Sequence, residues 1–434
     1  MTQTRQQSAR LCTRAAIVTG CLALLMAGAG PTGPTKKSGK GKEPVTYAKQ
    51  VSRIFQEKCQ TCHHPGTAAP FSLTSYDEAV HWADTIREVL VEKRMPPWFA
   101  DPRYGKFSND RRLHADELDT LMAWLDGGKE FGDKKDLPAP RQFADGWVIG
   151  KPDVIFEMPE EFKVPAQGVV PYTYFTTPTH FKEDVWVQAA EARPGNRQVV
   201  HHIILFYRDP KNKGRQASAS GGGIGDGLLV GTAPGDMPLI LRPGVAKKLP
   251  AGAELIWQMH YTPNGKEAKD RSQVGLIFYK GKEPPKWNAQ TRGILNTNLA
   301  IPPGASAHLV ESEWVVPRDT LLLGMMPHMH YRGKDFEYRA DYPDGRSEII
   351  LSVPHYDFSW QTSYGLAEPM LLPKGTKIHC TAHFDNSANN PANPDPKAQV
   401  TWGDQTWEEM MIGWITYVWK QPENEALLEG FKAF

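Results

Sequence analysis

TLLLGMMPHMHYRGKDFEYRADY, Thr320 to Tyr342, is two short β-rich runs parted by a turn around Gly333. Neither run holds an apolar residue at every third or fourth place for long enough to make a helix, so strands are the better reading. The same texture continues on both sides. Runs such as DVWVQAAEA, QVVHHIILFY, AELIWQMHYT, SQVGLIFYK, HLVESEWVV, KIHCTAHF and MIGWITYVW are separated by Pro, Gly, Asn and Asp turns. That spacing predicts antiparallel sandwiches, and some 280 residues suit two of them. The expected layout is two tandem antiparallel, jelly-roll-like β-sandwiches over 151–292 and 293–434, with a seam near Trp287 to Thr297.

Upstream the period changes. In TYAKQVSRIFQEKC, Tyr47, Val51, Ile54 and Phe55 form one helical stripe. The capping box Ser75-x-x-Glu78 opens a second helix that runs toward Pro96 and Pro97, and Leu118, Leu121, Met122 and Leu125 mark a third that stops at Gly127. A small all-α domain over 45–131 and a charged, Pro-containing linker over 132–150 follow. At the start, Arg5, Arg10 and Arg14 precede AAIVTGCLALLMAGAG, which ends in small residues. Residues 1–29 are expected to be a signal peptide and 30–44 a flexible linker, making the chain exported, and periplasmic in a Gram-negative cell. Attachment to a membrane follows only if Cys21 is lipidated.

Lys and Arg number 50 against 49 Asp and Glu. Such a balance gives no field to attract nucleic acid, which is excluded as a partner. The Gly-rich GGGIGDG at 221–227 lacks a strand-to-helix context and reads as a loop, not a phosphate cradle.

Of five cysteines, Cys12 and Cys21 fall in or near the signal. Cys59 and Cys62 stand in CQTCHH with His63. Two thiols one helical turn apart can each add to a vinyl group of one haem, and the adjacent histidine can reach the iron. No second CxxC is present for a zinc ribbon, and no βαβ context for a thioredoxin-like pair. Covalent haem c is the expected cofactor of 45–131, which looks like a cytochrome c domain. Met95, before Pro96, suits the sixth ligand position; Met122 lies on an apolar stripe, and His64 points elsewhere than its neighbour.

The strand period places His328 and His330 on one face. His201 and His202 are adjacent, so joint ligation would need a bulge or a strand end. His260 ends an apolar strand before a turn. Each motif is ambiguous alone; HH, then MHY, then HMH, then EEMM in that order is far more specific.

That order resembles the copper type II, ascorbate-dependent monooxygenases, the family of dopamine β-hydroxylase and peptidylglycine α-hydroxylating monooxygenase, over roughly 151–434. HYDFSWQTSY at 355–364 and KGTKIHCTAHFD at 374–385 add local likeness. The resemblance implies two copper ions, one held by His201, His202 and His260, the other by His328, His330 and Met410. Met411 sits beside Met410 and would face the other way, so one of the two ligates, and the family pattern favours Met410. It further implies that the His2Met copper carries the oxygen species that abstracts hydrogen from a substrate C–H bond, while the other copper supplies an electron. A thioether is soft and favours Cu(I), which suits that division.

Three departures stand out. The animal enzymes are rich in disulfides, whereas Cys380 stands alone here. Positions where peptide-amidating members carry an Arg and a Tyr are Met326 and Trp414, which argues against a peptidylglycine substrate. The fused cytochrome suggests a reductant that is either ascorbate-like or a periplasmic carrier, with haem feeding the three-histidine copper. The expected partners are therefore a small organic substrate, O2 and that electron donor. A non-catalytic electron-transfer or copper-binding redox protein is the alternative, and a cytochrome tethered to ligand-binding sandwiches a third.

Overall fold

The helical stripe at the start of the chain forms as its spacing requires. In the computed structural model, which describes residues 43–67, 69–143, 146–211, 227–233 and 238–421, a continuous helical run spans Tyr47–Val51, Ser52–Ile54 and Phe55–Cys59, its first and last parts π-wound. Tyr47 and Phe55 pack on Trp124, with ring centroids 6.0 and 6.5 Å away. The Ser75–Glu78 capping box is made, but the helix it opens breaks at Trp82 into Tyr76–His81 and Ala83–Val91. Ala115–Asp126 follows and ends at Gly127. The expected signal peptide at 1–29, the linker up to 42, Cys21 and the Gly-rich run before Gly227 lie outside the described residues. Among those described, no helix is long and apolar enough to cross a membrane.

Four sheets make up most of the rest. Sheet I has the order Thr173–Pro178, Glu254–Tyr261, Val200–Arg208, Leu228–Thr232. Sheet II runs Val154–Glu157, Gln273–Phe278, Val185–Arg193, Val245–Leu249, Trp287–Asn288, with Leu239–Ile240 beside its third strand. Sheet III is Gln290–Leu295, Ile412–Trp419, Thr320–His328, Tyr364–Leu372, and sheet IV is His308–Val315, Lys377–Phe384, Gly333–Asp341, Ser347–Val353. One apolar cluster draws on sheets I and II, including Leu205, Trp257 and Leu276; another draws on sheets III and IV, including Leu322, Ile415, Tyr338 and Cys380. A smaller one joins Phe206 and Ile256 of sheet I to Ile412 and Trp414 of sheet III.

This corrects the expected fold class. Among the described residues only about 12% are helical and there is no separate all-α cytochrome c domain, and the small sheets are arranged as a four-blade propeller instead of two tandem jelly-roll-like sandwiches. Two physical causes explain the difference. Short antiparallel strands at regular spacing are common to sandwiches, barrels and propellers, and how their sheets are disposed is fixed by contacts remote in sequence, such as those of Phe206 with the Trp414 cluster. The helices, in turn, share an apolar core that includes Val51, Phe55, Ile86 and Trp124, but the helical region is not independent of the sheets. The segment between the third and fourth helices enters the β core: Ala100 and Phe107 belong to the cluster of sheets III and IV, Asp101 N–H donates to Ser352 O at 2.8 Å, and Phe107 bridges Leu366.

Candidate metal centre

The adjacent histidines come together because their strand is irregular. Val200 pairs with Tyr261 and His202 with His260, so the register shifts across His201. A β-bulge of this kind re-aims one side chain, and it cancels the alternation that would otherwise send neighbours to opposite faces. A ring nitrogen from each of His201, His202 and His260 lies within 4.8 Å of the others. The three ring centroids are 4.9 to 5.6 Å apart. His202 is 3% exposed and His260 8%.

His328 ends its strand opposite Ile412, and His330 follows two residues on, its ring centroid 5.2 Å away. The intervening Met329 points into the core of sheets III and IV, as the strand period dictates. His328 Nδ1 lies 2.5 Å from Gln361 Oε1, and His330 Nδ1 lies 3.3 Å from Glu408 O. Since both partners are acceptors, each Nδ1 carries the proton and each Nε2 keeps its lone pair. Met410 lines one small cavity with His328, together with Tyr172, Phe206, Gln258 and Trp414. Met411 is buried instead among the residues between sheets III and IV.

Glu409 ties these pieces. Its buried carboxylate accepts the backbone N–H of His330 at 2.8 Å and of Arg332 at 2.6 Å, and burial pushes its carboxyl up to about 8. Arg332, 1% exposed, donates to Asn386 Oδ1 and to Trp407 O. The turn after His330 is thus clamped to the segment carrying Met410.

The two histidine groups adjoin. Tyr172 stands between them, its ring centroid 5.2 Å from His202, 4.9 Å from His260 and 6.4 Å from His330. Phe358 stacks on His201 at 5.7 Å and meets His330 edge-on at 6.0 Å. Burial depresses the basicity of all five imidazoles, that of His260 to about 3 and of His328 to about 4. They are neutral at pH 7, the form that ligates metals. His202 Nε2, His260 Nδ1 and His330 Nε2 are buried without a hydrogen-bond partner. Orphaned, neutral imidazole nitrogens within a trio whose ring nitrogens lie within 4.8 Å of one another are what a borderline metal such as copper takes up, so His201, His202 and His260 fit that ion.

At the cysteine turn, Cys62 and His63 both donate backbone N–H to Cys59 O, at 3.1 and 2.9 Å. His63 Nδ1 lies 3.0 Å from Phe71 O, which leaves Nε2 free, and burial pushes the Cys59 thiol up to about 12. Both thiols are free. This donor set fits a c-type haem. Met95 sits half-buried in the turn after Ala83–Val91, its N–H on Val89 O, and His64 turns away to stack on Phe143 at 3.9 Å. His379 pairs with Asp341 and His383 with Asp335.

Sequence patterns gave no hint of Tyr172. Gln361 lies in HYDFSWQTSY and Glu409 in EEMM, but their hydrogen-bonding roles depend on contacts 33 and 79 residues away.

No protein-family model matches the chain, and no curated protein matches it. Among solved structures, the major capsid protein P2 from bacteriophage PM2 aligns over 62% of this chain and 99% of that one, at 10% identity and a TM-score of 0.26. The infectious bursal disease virus VP2 subviral particle aligns over 64% and 83%, at 7% identity and 0.17. The tandem CBM22 domains of Paenibacillus barcinonensis Xyn10C align over 65% and 96%, at 9% identity and 0.16. Likenesses this slight carry no argument.

Proposed function

We propose that the chain is an exported copper monooxygenase of the ascorbate-dependent type II kind, which uses O2 to hydroxylate a C–H bond of a small organic substrate. One observation carries the reading: five neutral imidazoles, four of them buried and His201 half-buried, form two adjoining groups, with ring nitrogens left unpaired in both. His201, His202 and His260 would hold one copper, and His328, His330 and Met410 the other. Bound copper supplies one-electron chemistry and activation of O2.

The chain's own residues do the rest. Gln361 and the Glu408 carbonyl fix the proton on Nδ1 of each imidazole of the pair, so that Nε2 is presented. Glu409 sets the spacing between the pair and Met410. Tyr172, Phe206 and Trp414 give the cavity beside His328 a largely apolar wall, which favours an apolar or aromatic substrate. Cys59, Cys62 and His63 would hold haem c, which would supply one-electron transfer from a periplasmic carrier or an ascorbate-like reductant.

The test is O2 consumption by the reduced, copper-loaded protein across a panel of small organic compounds. Uptake coupled to a hydroxylated product is the expected result. Uptake that yields only peroxide with every compound would replace the enzyme by a redox carrier.

A further inference from the structure

Residues 106–111 leave the helical segment and run along the end strand of sheet III. Ser108 N–H donates to Gly365 O at 2.8 Å, Ala367 N–H to Lys106 O at 2.8 Å, and Phe107 bridges Leu366. Asn109 completes the grip with both ends of its amide: Nδ2 donates to Ser363 O at 2.7 Å, and Oδ1 accepts Gly365 N–H at 3.1 Å. The segment so held begins with Gln361 and Thr362, both buried, and Gln361 is the residue that orients the His328 ring. Ser363 Oγ also meets Met326 Sδ, two residues before His328, at 3.4 Å.

The other end of this strap reaches the cysteine turn. Arg111 hydrogen-bonds the Cys62 thiol and lies beside the Tyr364 phenol, which also meets the Thr362 side chain and the Phe99 backbone. Hydrogen bonds from Arg111 to Cys62, from Asn109 to Ser363 and between Gln361 and His328, joined by two short stretches of backbone at 109–111 and 361–363, therefore connect Cys62 to His328.

We propose that Asn109 is a positioning residue for His328: through it, residues 106–111 hold the 361–367 segment, and hence the His328 imidazole, in one hydrogen-bonded frame with the Cys59–His63 turn. The proposal rests on the copper reading of His328 and His330. It also connects the cysteine turn to that pair, whereas the sequence pointed to the three-histidine group as the point of electron entry. Asn109 touches no reacting atom. It acts by restricting where Gln361, and so the ring, can go.

The experiment uses the full chain with Asn109→Ala, Gln361→Leu as the direct lesion, and Lys135→Ala as a surface control. Copper(II) binding is followed by equilibrium dialysis and paramagnetic resonance, and amide hydrogen exchange is read over 361–367. Asn109→Ala is expected to weaken one copper equivalent about 10- to 100-fold, as Gln361→Leu does, leave the other unchanged and speed exchange in 361–367. The proposal is overturned if Asn109→Ala binds both equivalents like wild type and exchanges no faster, while Gln361→Leu loses one. If wild type shows no copper that His328→Ala removes, the copper reading fails by itself. In that case exchange over 361–367 and the nitrogen resonances of the His328 ring still decide the strap: an unchanged Nδ1–H tautomer and unchanged exchange in Asn109→Ala would sink it.

Discussion

Glu409 shows how much a single buried group can fix. It accepts two backbone N–H groups across a gap of about 80 residues in sequence, and removing it strands both donors and takes away the carboxyl that faces the buried Arg332 guanidinium. Glu409→Ala should lower stability by about 3 kcal/mol, read from denaturant midpoints, with Glu409→Gln costing less because one acceptor oxygen survives. His260 offers a second check. Its ring is directly opposite His202 and carries an orphaned Nδ1, so His260→Ala should remove one copper equivalent and leave the other, measured by elemental analysis after dialysis. The ligand types were legible in the sequence, because HH, MHY and HMH can be read as strings. Their convergence came only as an implication of the family resemblance; strand alternation alone argues against it, and the one-residue bulge at His201 that permits it leaves no mark in composition.

At the scale of elements, the junctions between sheets carry the informative strain. Gly413 lies opposite Pro327, and a Cβ there would meet Cys380 Sγ at 2.4 Å and Tyr338 Cε1 at 3.0 Å. Gly413→Ala should therefore destabilise by about 1 to 3 kcal/mol through overpacking, seen as a lower thermal midpoint. Lys247 of sheet II donates to Leu228 O of sheet I and Thr291 Oγ1 of sheet III, and burial brings its ammonium down to about 7 from 10.5. Between those values the unfolded chain binds more protons than the folded one, so stability rises with pH. Relative to Lys247→Met, the wild type should gain up to roughly 1.4 kcal/mol per pH unit from pH 7 to 10.5, followed by urea unfolding at each pH. Strand existence was readable from alternation and turn residues, and helix starts from Ser75 and Glu78. The break at Trp82 was not, because the stacking of its ring on Phe71 at 4.3 Å is a tertiary event.

Across the whole molecule, the reach of the helical segment into the sheets replaces the expected independence of an N-terminal domain. Trp98, Phe107 and Tyr364 form one aromatic cluster with centroids 5.0 to 5.9 Å apart, two rings from that segment and one from sheet III. No periodicity in 96–109 announces this, since the segment is neither helix nor strand and its partners lie some 250 residues later. The central claim is that two adjoining groups of imidazoles hold two copper ions, and copper quantitation tests it most directly. The purified wild type should retain about two equivalents per chain, and the double variants His201→Ala/His202→Ala and His328→Ala/His330→Ala should each retain about one. A wild type without bound copper, or double variants that bind as much as it does, would contradict the account.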